Sequence, residues 1–156
     1  MAITDLLNPE RVACCEESSS KKRTLEQLSA LLAEGISGLT PGEIFDCLIN
    51  RERLGSTGLG KGVAIPHGRM KGLEHPVGAF LRLREGVDFD AADHQPVDLL
   101  FALLVPEEST EEHLHILAEL ARIFSDTALV GRLREAGDDA QLLQLLNDSG
   151  PRRITA

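Results

Sequence analysis

A chain of 156 residues, 42% hydrophobic and 26% charged, is long enough to bury a real core and reads as one soluble domain. A formal charge of −9 argues against nucleic acid, whose phosphates demand a basic face, and the lack of Trp and Tyr points away from sites that stack sugars or bases. The longest purely apolar run, Leu99 to Val105, is too short to span a bilayer, and the N-terminus lacks the pattern of a signal peptide, so a cytoplasmic location is expected.

In chain order, Val12 to Cys15 makes a short strand. Lys21 to Glu34 carries Leu25, Leu28 and Leu32 at helical spacing, and Gly35 closes it. Thr40-Pro41-Gly42-Glu43 starts a second helix with a Thr cap, Pro at the first position and Glu at the third; it buries Ile44, Phe45 and Leu48 and runs to about Arg51. A Gly-rich loop, Gly55 to Gly62, leads into a short strand, Val63-Ala64-Ile65. Val77 to Leu83 and Val97 to Val105 are strands, the second apolar enough to be covered on both faces, and Gly86 to Asp90 adds an edge strand. Ser109 to Phe124 is a helix opened by a capping box from Ser109 to Glu112, and helical segments from Thr127 to Ala136 and Ala140 to Asn147 follow. The predicted fold is a three-layer α/β sandwich, a mixed central sheet of about five strands with helices on both faces. It spans residues 3–148, with a C-terminal tail over 149–156.

Cys14, Cys15 and Cys47 show neither a CxxC spacing nor an even count, and read as structural filler. Gly55-Ser56-Thr57-Gly58-Leu59-Gly60-Lys61-Gly62 almost spells a nucleotide-binding P-loop. It fails at Gly62, where a hydroxyl should hold magnesium, and in its context, since a helix precedes it and a strand follows. A flexible turn is one reading. A better one has the backbone amides of the loop, with Ser56, Thr57 and Gly58, form an anion nest facing the end of the next strand.

At that end stands His67. Pro66 removes a backbone donor and Gly68 follows, which places the imidazole in a loop at the C-terminal end of a strand, where open α/β sheets put ligand chemistry. A lone loop histidine ordinarily has no role; here glycines, hydroxyls and Arg51 surround it in sequence. Among the other histidines, His115 shares a face with Glu119 and Arg122 and points to water, and His75 and His94 lie in surface turns. His113 shares a face with Leu117, Leu120 and Phe124 near the positive end of its helix, and pattern alone leaves it equally a packed core histidine or a functional one. The five histidines show no usual zinc spacing, so no metal is expected.

The segments Arg51 to Arg69, Gln95 to Pro106 and Glu112 to Leu117 together resemble the IIA domain of the bacterial phosphotransferase system, mannitol/fructose type, over about Ile3 to Asp148. The wording around Gly55 to Gly68 and Gln95 to Pro106 is most similar to the nitrogen-regulatory branch. The resemblance implies a phosphotransferase acting in a phosphohistidine relay, from enzyme I through an HPr-type phosphocarrier to this chain, without a cofactor. It matches His67 to the phosphorylated histidine, carrying the group on Nε2, His113 to the second active-site histidine, and Arg51 to an arginine of the pocket. For that branch it implies regulation of partners in nitrogen and potassium metabolism, with potassium transport and its sensor kinase among the targets. Two other functions stay open: a sugar-specific IIA that passes phosphate to a IIB domain, and a non-catalytic interaction module, against which the intact His67 and His113 speak.

Overall fold

A computed structural model describes residues 3–149 of the chain, and among these the apolar stretches become six strands and five α-helices. In chain order they are β1 (Val12–Glu16), α1 (Lys21–Ala33), α2 (Pro41–Glu52), β2 (Gly58–Gly60), β3 (Val63–Ala64), β4 (His67–Met70), β5 (Val77–Val87), β6 (Val97–Pro106), α3 (Thr110–Phe124), α4 (Thr127–Glu135) and α5 (Asp139–Ser149). Short 3-10 turns at Ile3–Asp5 and Pro9–Arg11 precede the sheet. The predicted tail lies outside the described residues except for Ser149, which closes α5.

β6 is the organising strand. Its neighbours give the order β1-β5-β6-β3-β2, with β4 also paired to β6. β1 runs parallel to β5, β5 antiparallel to β6, and both β3 and β4 parallel to β6. Side chains alternate across a strand, so Leu99, Phe101, Leu103 and Val105 enter one core, and Leu100, Ala102 and Leu104 the other. The first core is closed by α3, α4 and α5 through residues such as Ile116, Leu120, Leu133 and Leu142; the second by α1 and α2 through Leu25, Leu28, Leu32, Ile44 and Leu48. Helices on both faces of a mixed sheet are the expected three layers.

Local signals act largely as the sequence suggests. Ser20 caps α1 by accepting from the Arg23 amide, and Thr40 caps α2 by accepting from the Glu43 amide. Three details differ. Ser109 makes no side-chain cap at α3, whose entry instead puts Thr110 Oγ1 in reach of Arg69. The separate edge strand at Gly86–Asp90 does not exist, because β5 continues unbroken to Val87. His67 does not lie in a loop: it begins β4. Pro66 has no N–H and interrupts the ladder, yet its carbonyl accepts from the Leu103 amide at 2.9 Å, so the chain stays against β6 and resumes pairing.

Candidate active site

β4 lies between the end of α2 and the start of α3, and the three elements line a cleft of about 700 Å³. α2 contributes Cys47, Asn50 and Arg51; β4 contributes His67, Gly68 and Arg69; α3 contributes Thr110, His113, Leu114 and Leu117. This close approach depends on Gly68. A Cβ there would stand 2.3 Å from the Cys47 sulfur, so only glycine lets α2 pack onto β4 at this point. Cys47, expected to be filler, therefore packs at the floor of the cleft, where its thiol donates to the Arg69 carbonyl.

His67 is held at both ring nitrogens by partners that leave no choice of tautomer. Nδ1 lies 2.8 Å from the Ile65 carbonyl, which can only accept, so Nδ1 carries the proton. Nε2 accepts from Arg51 Nε at 3.3 Å, and a guanidinium can only donate, so Nε2 presents its lone pair. A second guanidinium nitrogen, Arg51 Nη1, donates to the Gly55 carbonyl at 2.8 Å and fixes the fork. Burial holds the His67 imidazole below its ordinary pKa; the Ile65 hydrogen bond opposes this, and the charge on Arg51 adds to it. A neutral imidazole with an exposed-electron nitrogen aimed by arginine is a nucleophile.

His113 stands against it, the two rings 5.2 Å apart and edge-on at 71°. Its Nε2 is buried and has no hydrogen-bond partner among the described residues. Burial first, then electrostatic coupling to His67 and the charges of Arg69 and Arg51, pushes its pKa down to about 4. His113 thus lines the cleft with a buried polar atom that packing leaves unsatisfied among the described residues. Arg51 and Arg69 have no carboxylate partner within ion-pair distance among the described residues. Two unpaired guanidinium groups, a lone-pair nitrogen and an orphaned imidazole nitrogen suit a phosphoryl group, whose oxygens accept from several donors at once.

The Gly-rich segment plays a different part from the expected nest. Ser56 Oγ donates to the Phe89 carbonyl and accepts from the Gly58 amide, while Thr57 gives both its amide and its hydroxyl to Glu52. The Lys61 amide donates to Asp93. These donors are consumed inside the protein, and Ser56, Thr57 and Gly58 are not among the residues lining the cleft. The P-loop likeness dissolves for the same reason. Lys61-Gly62 is the turn of the β2–β3 hairpin, and Gly62, at φ +80°, leaves room for the Arg134 guanidinium that grips Asp98. The sequence reading passed over Arg69; its position two residues after His67 on a strand was the available signal, since such residues share a face. His115 is exposed, as are His75 and His94. Among the described residues no His, Cys, Asp and Glu side chains gather in threes as a metal ion needs, and no helix is long and apolar enough to cross a membrane.

The family model of the phosphoenolpyruvate-dependent sugar phosphotransferase system, EIIA 2, matches residues 5–149. The chain belongs to that EIIA 2 family. Among EIIA 2 relatives it is similar to the nitrogen regulatory protein of Escherichia coli strain K12, 43% identical over 150 residues that make up 96% of this chain and 91% of that protein. The crystal structure of nitrogen regulatory protein IIA-Ntr from Neisseria meningitidis superposes with a TM-score of 0.86 at 45% identity, covering 92% of this chain and 98% of that one. The structure of IIA mannitol from Escherichia coli shares the fold at a TM-score of 0.75 and 22% identity, covering 90% and 98%. The likeness to the nitrogen-regulatory branch thus holds in sequence and in structure, and the EIIA 2 domain is a member of a phosphoryl-transfer family.

Proposed function

We propose that this EIIA 2 domain accepts a phosphoryl group on His67 Nε2 from an HPr-type phosphocarrier, charged in turn from phosphoenolpyruvate, and that its phosphorylation state regulates partner proteins of nitrogen and potassium metabolism. The observation that carries the reading is the fixed tautomer of His67, with its lone pair on the nitrogen that faces Arg51. In the transfer, the Nε2 lone pair forms a bond to phosphorus while the bond from phosphorus to the donor's histidine nitrogen breaks, and that electron pair returns to the donor ring. The proton stays on Nδ1, hydrogen-bonded to the Ile65 carbonyl, which lets the ring share the positive charge that develops as the bond forms. Arg51, Arg69 and the His113 ring supply donors to the equatorial oxygens, where charge builds. Beside the cleft, Leu54 and Leu114 are 84% and 64% exposed, an apolar pair that suits contact with the donor protein.

Incubation with phosphoenolpyruvate, enzyme I and a nitrogen-type HPr should give acid-labile label that is absent from His67→Ala. Undiminished label in that variant would overturn the assignment. The family description, a sugar system, favours one second reading: a IIA component handing phosphate to a IIB domain for fructose or mannitol uptake. Loading by a sugar-type HPr far faster than by the nitrogen-type one, with onward transfer to a IIB domain, would put that reading first.

A further inference from the structure

Directly behind the cleft, and outside it, a charged side chain is buried: Glu52, the last residue of α2, is 6% exposed. A buried carboxylate is costly unless it is fully partnered. Glu52 has three donors from two residues. Lys21 Nζ, at the first turn of α1, stands 2.9 Å from Oε2; the Thr57 amide donates to the same oxygen at 3.3 Å; and the Thr57 hydroxyl donates to Oε1. Lys21 is itself held by the Phe89 carbonyl at 3.2 Å and by the face of the Phe89 ring, 4.7 Å from its centroid. The Phe89 carbonyl also accepts from Ser56. One carboxylate thereby ties α1, the end of α2, the loop after it and the Phe89 turn together.

That loop leads to both working residues. Gly55, whose carbonyl anchors the Arg51 fork, lies in the four-residue bridge between Glu52 and Thr57. The Thr57 carbonyl accepts from the Ile65 amide at 3.1 Å, and the Ile65 carbonyl accepts from His67 Nδ1 at 2.8 Å. Glu52 therefore reaches His67 along two routes: through Gly55 and Arg51 to Nε2, and through Thr57 and Ile65 to Nδ1.

We propose that Glu52, clamped by Lys21 and Thr57, is a positioning residue for phosphoryl transfer, setting the tautomer of His67 and the aim of Arg51 from behind the site. This rests on the phosphocarrier reading for its kinetic consequence, though not for its effect on the ring. Thr57 is then a clamp rather than a phosphate ligand, which is why its amide and hydroxyl face inward.

The test uses the full chain with Glu52→Gln, Thr57→Val and Thr57→Ser. Nitrogen chemical shifts of the His67 ring are measured in the unphosphorylated protein, and the rate of loading by the HPr-type donor is measured on the folded fraction. Glu52→Gln and Thr57→Val should move the ring nitrogens away from a pure Nδ1–H tautomer and slow loading about ten- to a hundredfold, the scale of a small misplacement of a reacting group. Thr57→Ser, which restores the hydroxyl, should recover most of both. If the folded variants keep wild-type ring shifts and load at the wild-type rate, the proposal is overturned. It is equally overturned if loading falls only as the folded fraction falls, with ring shifts unchanged. Wild-type protein that takes no label, with variants that still shift the His67 nitrogens, sustains the clamp and contradicts the phosphocarrier reading instead.

Discussion

Arg51 and His67 form a donor–acceptor pair in which the arginine Nε donates across 3.3 Å to His67 Nε2, the nitrogen proposed to bond phosphorus. The same contact that keeps the lone pair on Nε2 in the free protein would place a guanidinium beside a phosphoryl group arriving there. Because Nη1 is committed to the Gly55 carbonyl, the fork is aimed by the backbone rather than by the substrate.

Replacing Arg51 tests that arrangement. Arg51→Ala should slow loading about a hundredfold, the usual scale for removing one preorganised donor at a developing negative charge. Arg51→Lys should recover little of the loss, since an ammonium cannot hold Gly55 and His67 together. Single-turnover labelling by rapid quench measures both; a lysine variant at full rate would show that charge alone suffices.

His113 should behave differently from His67. Its buried Nε2 has no partner among the described residues, and in the proposed transfer it would contact the phosphoryl group rather than carry it. In His113→Ala the label should still reach His67, about ten- to a hundredfold more slowly, as expected for loss of one stabilising or acid–base group. Complete loss of labelling in a folded His113→Ala would make it the attachment site or a second carrier.

Both histidines titrate below their ordinary range, which gives a signed pH dependence. Protonation of His67 takes the lone pair away, so loading should fall as pH drops through its depressed pKa and stay level above neutrality. For His113, the folded pKa of about 4 lies under the unfolded 6.5, so the unfolded chain binds the proton first. The resulting stability is fully present above 6.5 and declines as pH falls from there toward 4. Thermal melts across this window should show a fall that His113→Gln reduces.

Gly68 makes a prediction about packing. An alanine there drives its Cβ into the Cys47 sulfur, an overpacking that typically costs about 1–3 kcal/mol. Urea unfolding of Gly68→Ala should show that loss, and Cys47→Ala in the same chain should restore part of it. Additive losses in the double variant would mean that the two residues do not meet.

The sequence exposes some of this more readily than the rest, for physical reasons. Helical spacing of Leu25, Leu28 and Leu32, and an unbroken apolar run from Leu99 to Val105, speak for themselves because each buries a whole face. His67 and Arg51 were readable from their segment, and their resemblance to a family supplied roles that spacing alone did not. Three-dimensional exchange of partners was not readable. Ser56 and Thr57 look like phosphate ligands beside glycines, yet distant groups, the Phe89 carbonyl and buried Glu52, claim their donors. Pro66 signals a break, but the pairing of its carbonyl with Leu103 depends on a strand thirty-odd residues away. Arg69 announces itself only once His67 is known to start a strand, which puts the two on one face; the sequence placed His67 in a loop and so hid it.

In the proposed function the phosphoryl group resides on one nitrogen of one residue. Nitrogen-15 and phosphorus-31 spectra of protein loaded through enzyme I and the HPr-type carrier read this directly, through the coupling between phosphorus and the ring nitrogens of His67. Coupling to Nε2, with the proton retained on Nδ1, is the expected result. Coupling to Nδ1, or phosphate on any residue other than His67, would contradict it.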